Sequence, residues 1–296
     1  VGAHVSILDT TIESNTSPAS GGGIYVSNGT TSASLNTSRS TINNNTSVYG
    51  GGGIYFAGTA GAQIVNTTIS GNSADHGGGV SYETPTNGAY FNLIYTTVAR
   101  NHASGTGGGV YTTPADSSYQ PDVATVAALI ADNTATTYQD WDGSMTSTTS
   151  SLIEDASGVT NFGQLNGNNL FNYDPLLDPV LRSLGGATKV HRLLPGSVAI
   201  DQVNDLRDED HRSVKRAQLG ATDATLLDMG AYEESRLEAE IWQMASKTFS
   251  VTHTTVSNAS YSNGQATNLQ ATAANQFVTY ATPAALTNAS YHVFVG

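Results

Sequence analysis

The sequence predicts an all-β protein, a right-handed parallel β-helix followed by a partial β-sandwich. A glycine triplet followed by an aliphatic residue occurs four times, at intervals of 30, 26 and 30 residues. A second motif, Thr-Ile-x-x-Asn or a close variant, occurs five times, and its asparagines are 30, 27, 29 and 32 residues apart. Apolar and polar residues alternate between these motifs, and no repeat contains a helical periodicity. A repeat of this length without a helix indicates a β-solenoid.

The glycine triplets begin at Gly21, Gly51, Gly77 and Gly107. A sharp corner that recurs once per coil needs either a positive φ or close approach of the neighbouring coil, and glycine tolerates both at the least cost. No helix is predicted after any triplet, and the triplet is repeated rather than unique. We therefore interpret it as a solenoid corner and not as a phosphate-binding loop.

The repeated motifs also predict ladders of identical residues, because stacked coils pair at about 4.8 Å. Two aliphatic ladders are expected inside the solenoid, formed by Ile12, Ile42, Ile69, Val98 and Ile130 and by Ile24, Ile54, Val80 and Val110. Asparagine tolerates the left-handed region at a corner and can pass an amide hydrogen bond to the next coil. The sequence therefore predicts a structural ladder of Asn15, Asn45, Asn72, Asn101 and Asn133.

Tyrosines follow the aliphatic residue of the glycine motif and are expected to point outward. The predicted external stripe contains Tyr25, Tyr55, Tyr82 and Tyr111, where Tyr82 is taken in place of the adjacent Ser81. Exposed aromatic rings can bind the face of a sugar or another protein. The alternative is that the rings stack on one another and stiffen a thin solenoid.

Composition excludes several classes of protein. The chain has 296 residues, a formal net charge of −13 and no cysteine. The shortage of cations argues against a nucleic-acid partner, and the absence of cysteine excludes disulfides and thiolate chemistry. No apolar run approaches the roughly 18 residues of a membrane span. Several N-x-[ST] sequons are compatible with a secreted or cell-surface protein, although a chain rich in Asn, Ser and Thr also produces them by chance.

The repeats define a first region at residues 1–155, and residues 156–234 are expected to form the last coils and a cap that closes the core. This second region contains Asp174-Pro175-Leu176-Leu177, then Leu193 to Asp201, Asp210 to Arg216 and Asp228 to Glu233. With the preceding coils, this order of motifs resembles bacterial secreted β-helix proteins of the choice-of-anchor type. Their repeats are similar to those of the chlamydial polymorphic outer-membrane proteins. The resemblance implies a secreted or cell-surface solenoid without an assigned activity.

The densest group of charges lies in that second region. It comprises Asp201, Asp205, Asp208, Glu209, Asp210, His211, Arg212 and Arg216. Paired carboxylates beside an arginine can hold calcium or carry out acid–base chemistry. The same charges can also form ion pairs that lock the cap. Of these alternatives we favour the lock.

Residues 235–296 differ in composition from the preceding regions, and their sequence pattern predicts β-strands. The sequence Leu-Glu-Ala-Glu followed by this strand-rich tail is similar to the first half of family 6/35-type carbohydrate-binding modules. The resemblance implies a structural calcium ion at Glu238 and Glu240, and it implies no other cofactor. It covers about 60 residues, and the second half of the module is missing.

Two functions follow from these features. The first is a non-enzymatic structural or adhesive protein of a bacterial surface or matrix, with glycans or other copies of itself as partners and end-to-end assembly into a homopolymer. The second is a polysaccharide lyase or glycoside hydrolase, because β-helix enzymes resemble this solenoid. Such enzymes need carboxylates and a cation from neighbouring coils in one groove. The best candidate set is Asp75, His76, Arg100 and His102, provided that these side chains converge with Asp140 or Asp142.

Overall fold

A computed structural model describes residues 3–27, 33–58, 60–83, 89–112, 122–204, 209–213, 226–234, 277–281 and 290–294. The chain divides into two compact units, one with residues 1–217 and 225–234 and the other with residues 218–224 and 235–296. All of the described secondary structure is β, and the described residues contain no helix. Within the described residues, therefore, no helix is long and apolar enough to cross a membrane.

The first unit begins with four coils of four short strands each. In chain order these are β1 (His4–Leu8), β2 (Thr11–Glu13), β3 (Thr16–Ser17), β4 (Ile24–Ser27), β5 (Ser34–Ser38), β6 (Thr41–Asn43), β7 (Thr46–Ser47), β8 (Ile54–Ala57), β9 (Gly61–Val65), β10 (Thr68–Ser70), β11 (Ser73–His76), β12 (Val80–Glu83), β13 (Tyr90–Ile94), β14 (Thr97–Ala99), β15 (His102–Thr106) and β16 (Val110–Thr112). Equivalent strands of successive coils pair in parallel, so the predicted β-solenoid is confirmed.

The coils that follow are shorter. Their strands are β17 (Asp122–Val126), β18 (Leu129–Ala131), β19 (Trp141–Thr149), β20 (Leu152–Ile153), β21 (Val159–Asn166) and β22 (Leu170–Phe171). The first residues of β19 pair with β16 and its last residues pair with β17. One continuous strand therefore takes part in pairing on two sides of the coil, and Gly143, at a φ of 122°, lies between its two halves.

Four parallel sheets run along the solenoid. The first contains β1, β5, β9, β13, β17 and the end of β19, and the second contains β2, β6, β10, β14, β18, β20 and β22. The third contains β3, β7, β11 and β15, and the fourth contains β4, β8, β12, β16 and the start of β19. Backbone at positive φ makes the turn between the second and third sheets, at Ser14, Asn44, Gly71, Arg100 and Asp132. The left-handed residue thus precedes each ladder asparagine, whereas the sequence suggested the asparagine itself.

The predicted aliphatic ladders are confirmed as the centre of the core. Ile12, Ile42, Ile69, Val98 and Ile130 pair in register, and Ile153 and Phe171 extend this ladder. Ile24, Ile54, Val80 and Val110 form the second ladder, which continues into Trp141. Burying a side chain of this size contributes about 1.5–3 kcal/mol to folding, and the ladders repeat that gain in every coil.

A second core lies outside the solenoid, on the second sheet. The described residues of 172–204, 209–213 and 226–234 run along the outer face of that sheet and bury apolar side chains such as Leu177, Leu193 and Met229 against Leu129 and Leu152. Hydrogen bonds fasten the segment to three coils: Thr41 Oγ1 donates to Lys189 O, the backbone N–H of Ala231 donates to Thr97 Oγ1, and that of Gly230 donates to Ala127 O. Both faces of the second sheet are therefore covered. The segment also contains β23 (Val203–Asn204) and β24 (Leu226–Leu227), which pair antiparallel.

The described part of the second unit consists of two antiparallel strands. They are β25 (Phe277–Ala281) and β26 (Ser290–Phe294), which pair from Phe277 opposite Phe294 to Ala281 opposite Ser290. The partial β-sandwich expected for residues 235–296 otherwise lies outside the described residues. Glu238 and Glu240, the predicted calcium ligands, also lie outside them.

Candidate binding surface on the fourth sheet

The glycine triplets hold the strands of the fourth sheet close to their neighbours. Gly51 has a φ of 63°. A Cβ on Gly52 would lie 2.5 Å from the carbonyl oxygens of Gly78 and Ser73, and one on Gly53 would lie 2.6 Å from Gly79 O. No side chain fits at these distances, so the triplet is needed for the corner and for the approach of the next coil. The glycines themselves offer no functional group to a ligand.

Directly behind the triplets, the ladder asparagines form one hydrogen-bonded row. The Nδ2 of Asn45 donates to Asn72 Oδ1 at 3.0 Å, and the Nδ2 of Asn72 donates to Asn101 Oδ1 at 2.9 Å. Each of these oxygens also accepts the backbone N–H of the preceding asparagine. The row starts at Asn15 and continues through Asn133 with the same geometry. It satisfies the side-chain amides of the ladder, which are buried from Asn45 to Asn133.

The row ends on a carboxylate that the sequence analysis did not assign to it. Asp140 Oδ1 accepts from the Nδ2 of Asn133 at 2.8 Å and from its backbone N–H, and Asp140 Oδ2 accepts from the N–H of Asp155 at 2.7 Å. A carboxylate is a suitable last member because it accepts hydrogen bonds without having to donate one. Burial raises the pKa of Asp140 to about 7 despite these hydrogen bonds.

Tyrosines on the outer face of the fourth sheet stand in one row. Tyr25 pairs in register with Tyr55, which is followed in later coils by Ser81, Tyr111 and Asp142. The rings of Tyr25 and Tyr55 are stacked, with centroids 5.3 Å apart and planes inclined by 14°. Tyr25 is 55% exposed. Three of the four predicted tyrosines are thus brought to one surface.

Tyr82 does not belong to this row, and its prediction as a ligand-binding residue is corrected here. Its side chain is only 1% exposed and stacks on Phe91 in the core, with ring centroids 5.0 Å apart. Successive residues of a strand point to opposite faces, so the outward Ser81 places its neighbour inside.

His76 and Glu83 fill the space that Ser81 leaves between Tyr55 and Tyr111. His76 Nε2 lies 2.7 Å from Glu83 Oε1, and the His76 ring packs edge-on against Tyr111 with centroids 4.9 Å apart. The hydroxyl groups of Tyr55 and Ser81 donate to the Glu83 carboxylate at 3.2 and 2.7 Å. The aromatic row is therefore continued by a hydrogen-bonded ion pair. We call Tyr25, Tyr55, His76, Glu83 and Tyr111, with the adjacent Asp75 and Asp142, the tyrosine face.

The titratable groups of the tyrosine face perturb one another. The hydrogen bond to Glu83 raises the pKa of His76, which favours its charged form. Burial alone would raise the pKa of Glu83, but the hydrogen bonds from His76 and Ser81 lower it overall. Burial and the Glu83 charge raise the pKa of Tyr55 to about 12, and burial together with Glu83 and Asp142 raises that of Tyr111. These shifts favour neutral phenols at Tyr55 and Tyr111, a carboxylate at Glu83 and the charged form of His76.

The four candidate catalytic residues are not brought together. Asp75 accepts from Ser104 Oγ at 2.9 Å and lies next to His76. Arg100, at the turn between the second and third sheets, pairs instead with Asp132 at 2.8 Å. His102 Nδ1 contacts Thr134 Oγ1 at 3.0 Å. Of the two acids expected to join them, Asp142 lies on the tyrosine face and Asp140 is buried in the ladder. Glu83, which the sequence analysis missed, is the acid that His76 contacts.

In its described part, the charged cluster of the second region forms contacts around the buried Asp210 and His211, whereas Glu209 is exposed. Arg212 binds both Asp210 and the carbonyl of Glu233, and its guanidinium lies 4.3 Å from the Tyr232 ring centroid. Arg192 and Glu234 form a second, buried ion pair that the sequence analysis did not identify. Asp205, Asp208 and Arg216 lie outside the described residues. Among those described, no group of three or more His, Asp and Glu side chains is arranged to hold a metal ion.

One family matches part of the chain. The model of the Chlamydia polymorphic membrane protein repeat matches residues 9–27 and 39–57, which are the two stretches that run from β2 to β4 and from β6 to β8. The match supports a β-helix repeat protein associated with a surface or an outer membrane. No curated protein and no solved structure matches the chain.

Proposed function

We propose that this chain is a non-enzymatic, adhesive β-helix of a bacterial surface or matrix, and that it binds glycans through the tyrosine face. The single observation that carries the proposal is the outward row of Tyr25, Tyr55, His76 and Tyr111, which extends over four coils. A tyrosine ring offers apolar surface and a hydroxyl group at little cost in side-chain entropy, and both suit a sugar ring with its hydroxyl groups.

The shape of the surface fits a chain-like ligand. Equivalent positions of neighbouring coils are about 4.8 Å apart, so the row from Tyr25 to Tyr111 spans roughly 14 Å. Its members lie on short parallel strands that the glycine corners and the asparagine ladder hold in register. A polysaccharide that lies along the solenoid axis would meet one aromatic or polar side chain per coil.

The contacts of His76 favour binding over catalysis. A general base must accept a proton from the substrate, but Nε2 of His76 faces Glu83 and Nδ1 lies 3.5 Å from Asp75. Both nitrogens are thus directed at carboxylates, and the raised pKa of His76 favours the charged form of the ring, which cannot accept a proton. Arg100, the cation that a lyase would use, is paired with Asp132.

Association with other copies of the chain is the second expected interaction. It would have to use groups outside the asparagine ladder. The asparagine row ends inside the chain on Asp140, whose two oxygens already accept hydrogen bonds from Asn133 and from the N–H of Asp155. End-to-end contact between copies is therefore an outcome that the binding experiment should record, by size-exclusion chromatography of the free chain.

The test is a glycan array on the full chain, followed by titration of the best ligand into the Tyr25→Ala variant. We expect at least a tenfold loss of affinity, because stacking surface and a hydroxyl group are removed together. Tyr173→Ala is the matched control, since Tyr173 is 53% exposed and lies away from the face. An array without binding, or equal losses in both variants, would refute the proposal. Cleavage of the bound glycan would show instead that the chain is a glycan-degrading enzyme.

A further inference from the structure

The charges of the first unit are unevenly distributed around the solenoid. All of the described lysine and arginine residues lie near the second sheet, either in the segment that covers its outer face or at the turns that border it. They are Arg39, Arg100, Arg182, Lys189, Arg192 and Arg212. Arg39 pairs with Asp9, and Arg100 pairs with Asp132. Within the described strands of the fourth sheet there is neither lysine nor arginine.

The tyrosine face has the opposite composition. Asp75, Glu83 and Asp142 contribute three carboxylates, and His76 contributes the one positive charge. The Asp75 side chain is 57% exposed, and that of Glu83 is 30% exposed. Even with His76 protonated, the face keeps two negative charges beside Tyr25, Tyr55 and Tyr111.

Aromatic rings and carboxylates together favour an ammonium group. The negative face of a tyrosine ring attracts a cation within about 6 Å, by about 0.5–1 kcal/mol at an exposed site. The carboxylates add charge complementarity, which contributes chiefly to specificity and to the rate of encounter. An anionic polysaccharide would instead meet the net negative charge of Asp75, Glu83 and Asp142.

We propose that the ligand of the tyrosine face is a polysaccharide with free amino groups, such as a polymer of glucosamine. This inference rests on the proposed glycan binding and adds the charge of the ligand to it. The sugar rings would contact the tyrosines, and the ammonium groups would pair with Asp75, Glu83 and Asp142 along the row.

The test is isothermal titration of the full chain at pH 6 with three hexasaccharides of similar length: glucosamine, N-acetylglucosamine and glucose in β-1,4 linkage. We expect the glucosamine hexamer to bind at least tenfold more tightly than the other two, and its affinity to fall with added salt. Asp75→Asn and Glu83→Gln should each weaken its binding about threefold to fivefold, which is the size of an exposed ion pair.

Because the whole chain carries a net charge of −13, a matched control must exclude unspecific attraction. Asp122→Asn removes an exposed carboxylate from the first sheet and should leave the affinity unchanged. Equal effects of Asp122→Asn and Asp75→Asn would overturn the inference. Equal binding of the N-acetylated or glucose hexamer would also overturn it while leaving the glycan-binding proposal intact. If none of the three hexamers binds, this inference fails, and the array decides the proposed function separately.

Discussion

At the scale of single residues, Asp140 shows how a repeated motif is ended. Four of the five asparagines before it donate a side-chain amide to the asparagine of the next coil. The fifth, Asn133, therefore needs a different acceptor for its amide. Asp140 supplies this acceptor with one oxygen and binds the N–H of Asp155 with the other. The carboxylate is buried at 1% exposure, and burial opposes its charge.

This burial makes the stability of the solenoid depend on pH in a defined direction. The pKa of Asp140 rises from an ordinary 3.8 to about 7 in the folded chain. Between these values the folded state binds a proton that the unfolded state releases, so the contribution is present at low pH and is lost as pH rises towards 7. The free energy of unfolding, measured with urea, should fall by about 2 kcal/mol more between pH 5 and pH 8 in the native chain than in Asp140→Asn. Parallel curves for the two proteins would contradict this assignment.

At the scale of elements, the ladder joins the strands of neighbouring coils more strongly in the middle than at its start. Asn72 accepts from the backbone N–H and the Nδ2 of Asn45 and donates to Asn101 Oδ1 and to Ile42 O, all while fully buried. Asn15 donates to Asn45 Oδ1 but is exposed.

Replacing Asn72 by alanine should therefore destabilise the chain by about 3–5 kcal/mol, because buried donors and an acceptor lose their partners at about 1–3 kcal/mol each. Asn15→Ala is the matched control and should cost about 1 kcal/mol or less. Urea unfolding followed by circular dichroism measures both values. Similar costs for the two variants would show that the amide row does not hold the coils together.

The elements that the sequence predicted well are those defined by a repeat. Two aliphatic ladders are visible in the sequence because their members recur at one position of each coil. Tyr82 was misplaced for a related reason: a one-residue step along a strand moves a side chain to the opposite face. The contact of His76 with Glu83 was missed because neither residue recurs in the other coils. The candidate site therefore includes residues that depart from the repeat.

At the scale of the whole first unit, the solenoid has a covered side and an open side. The second sheet is covered by the described residues of 172–204, 209–213 and 226–234. They include the buried His191 and His211, whose pKa values burial lowers. This arrangement escaped sequence analysis because its contacts join residues more than 100 positions apart, such as Thr41 with Lys189. Aromatic and acidic side chains are instead placed on the fourth sheet. We infer that the segment stabilises the coils from one side and leaves the tyrosine face available for a ligand.

The location of the ligand is the most direct test of this account. Hydroxyl-radical footprinting of the full chain, with and without the glucosamine hexamer, reports the solvent accessibility of individual tyrosines by mass spectrometry. We expect the hexamer to protect Tyr25, Tyr55 and Tyr111, while Tyr173, which is as exposed as Tyr25, reacts unchanged. Protection of Tyr173 or Tyr90, with the tyrosine face left reactive, would contradict it.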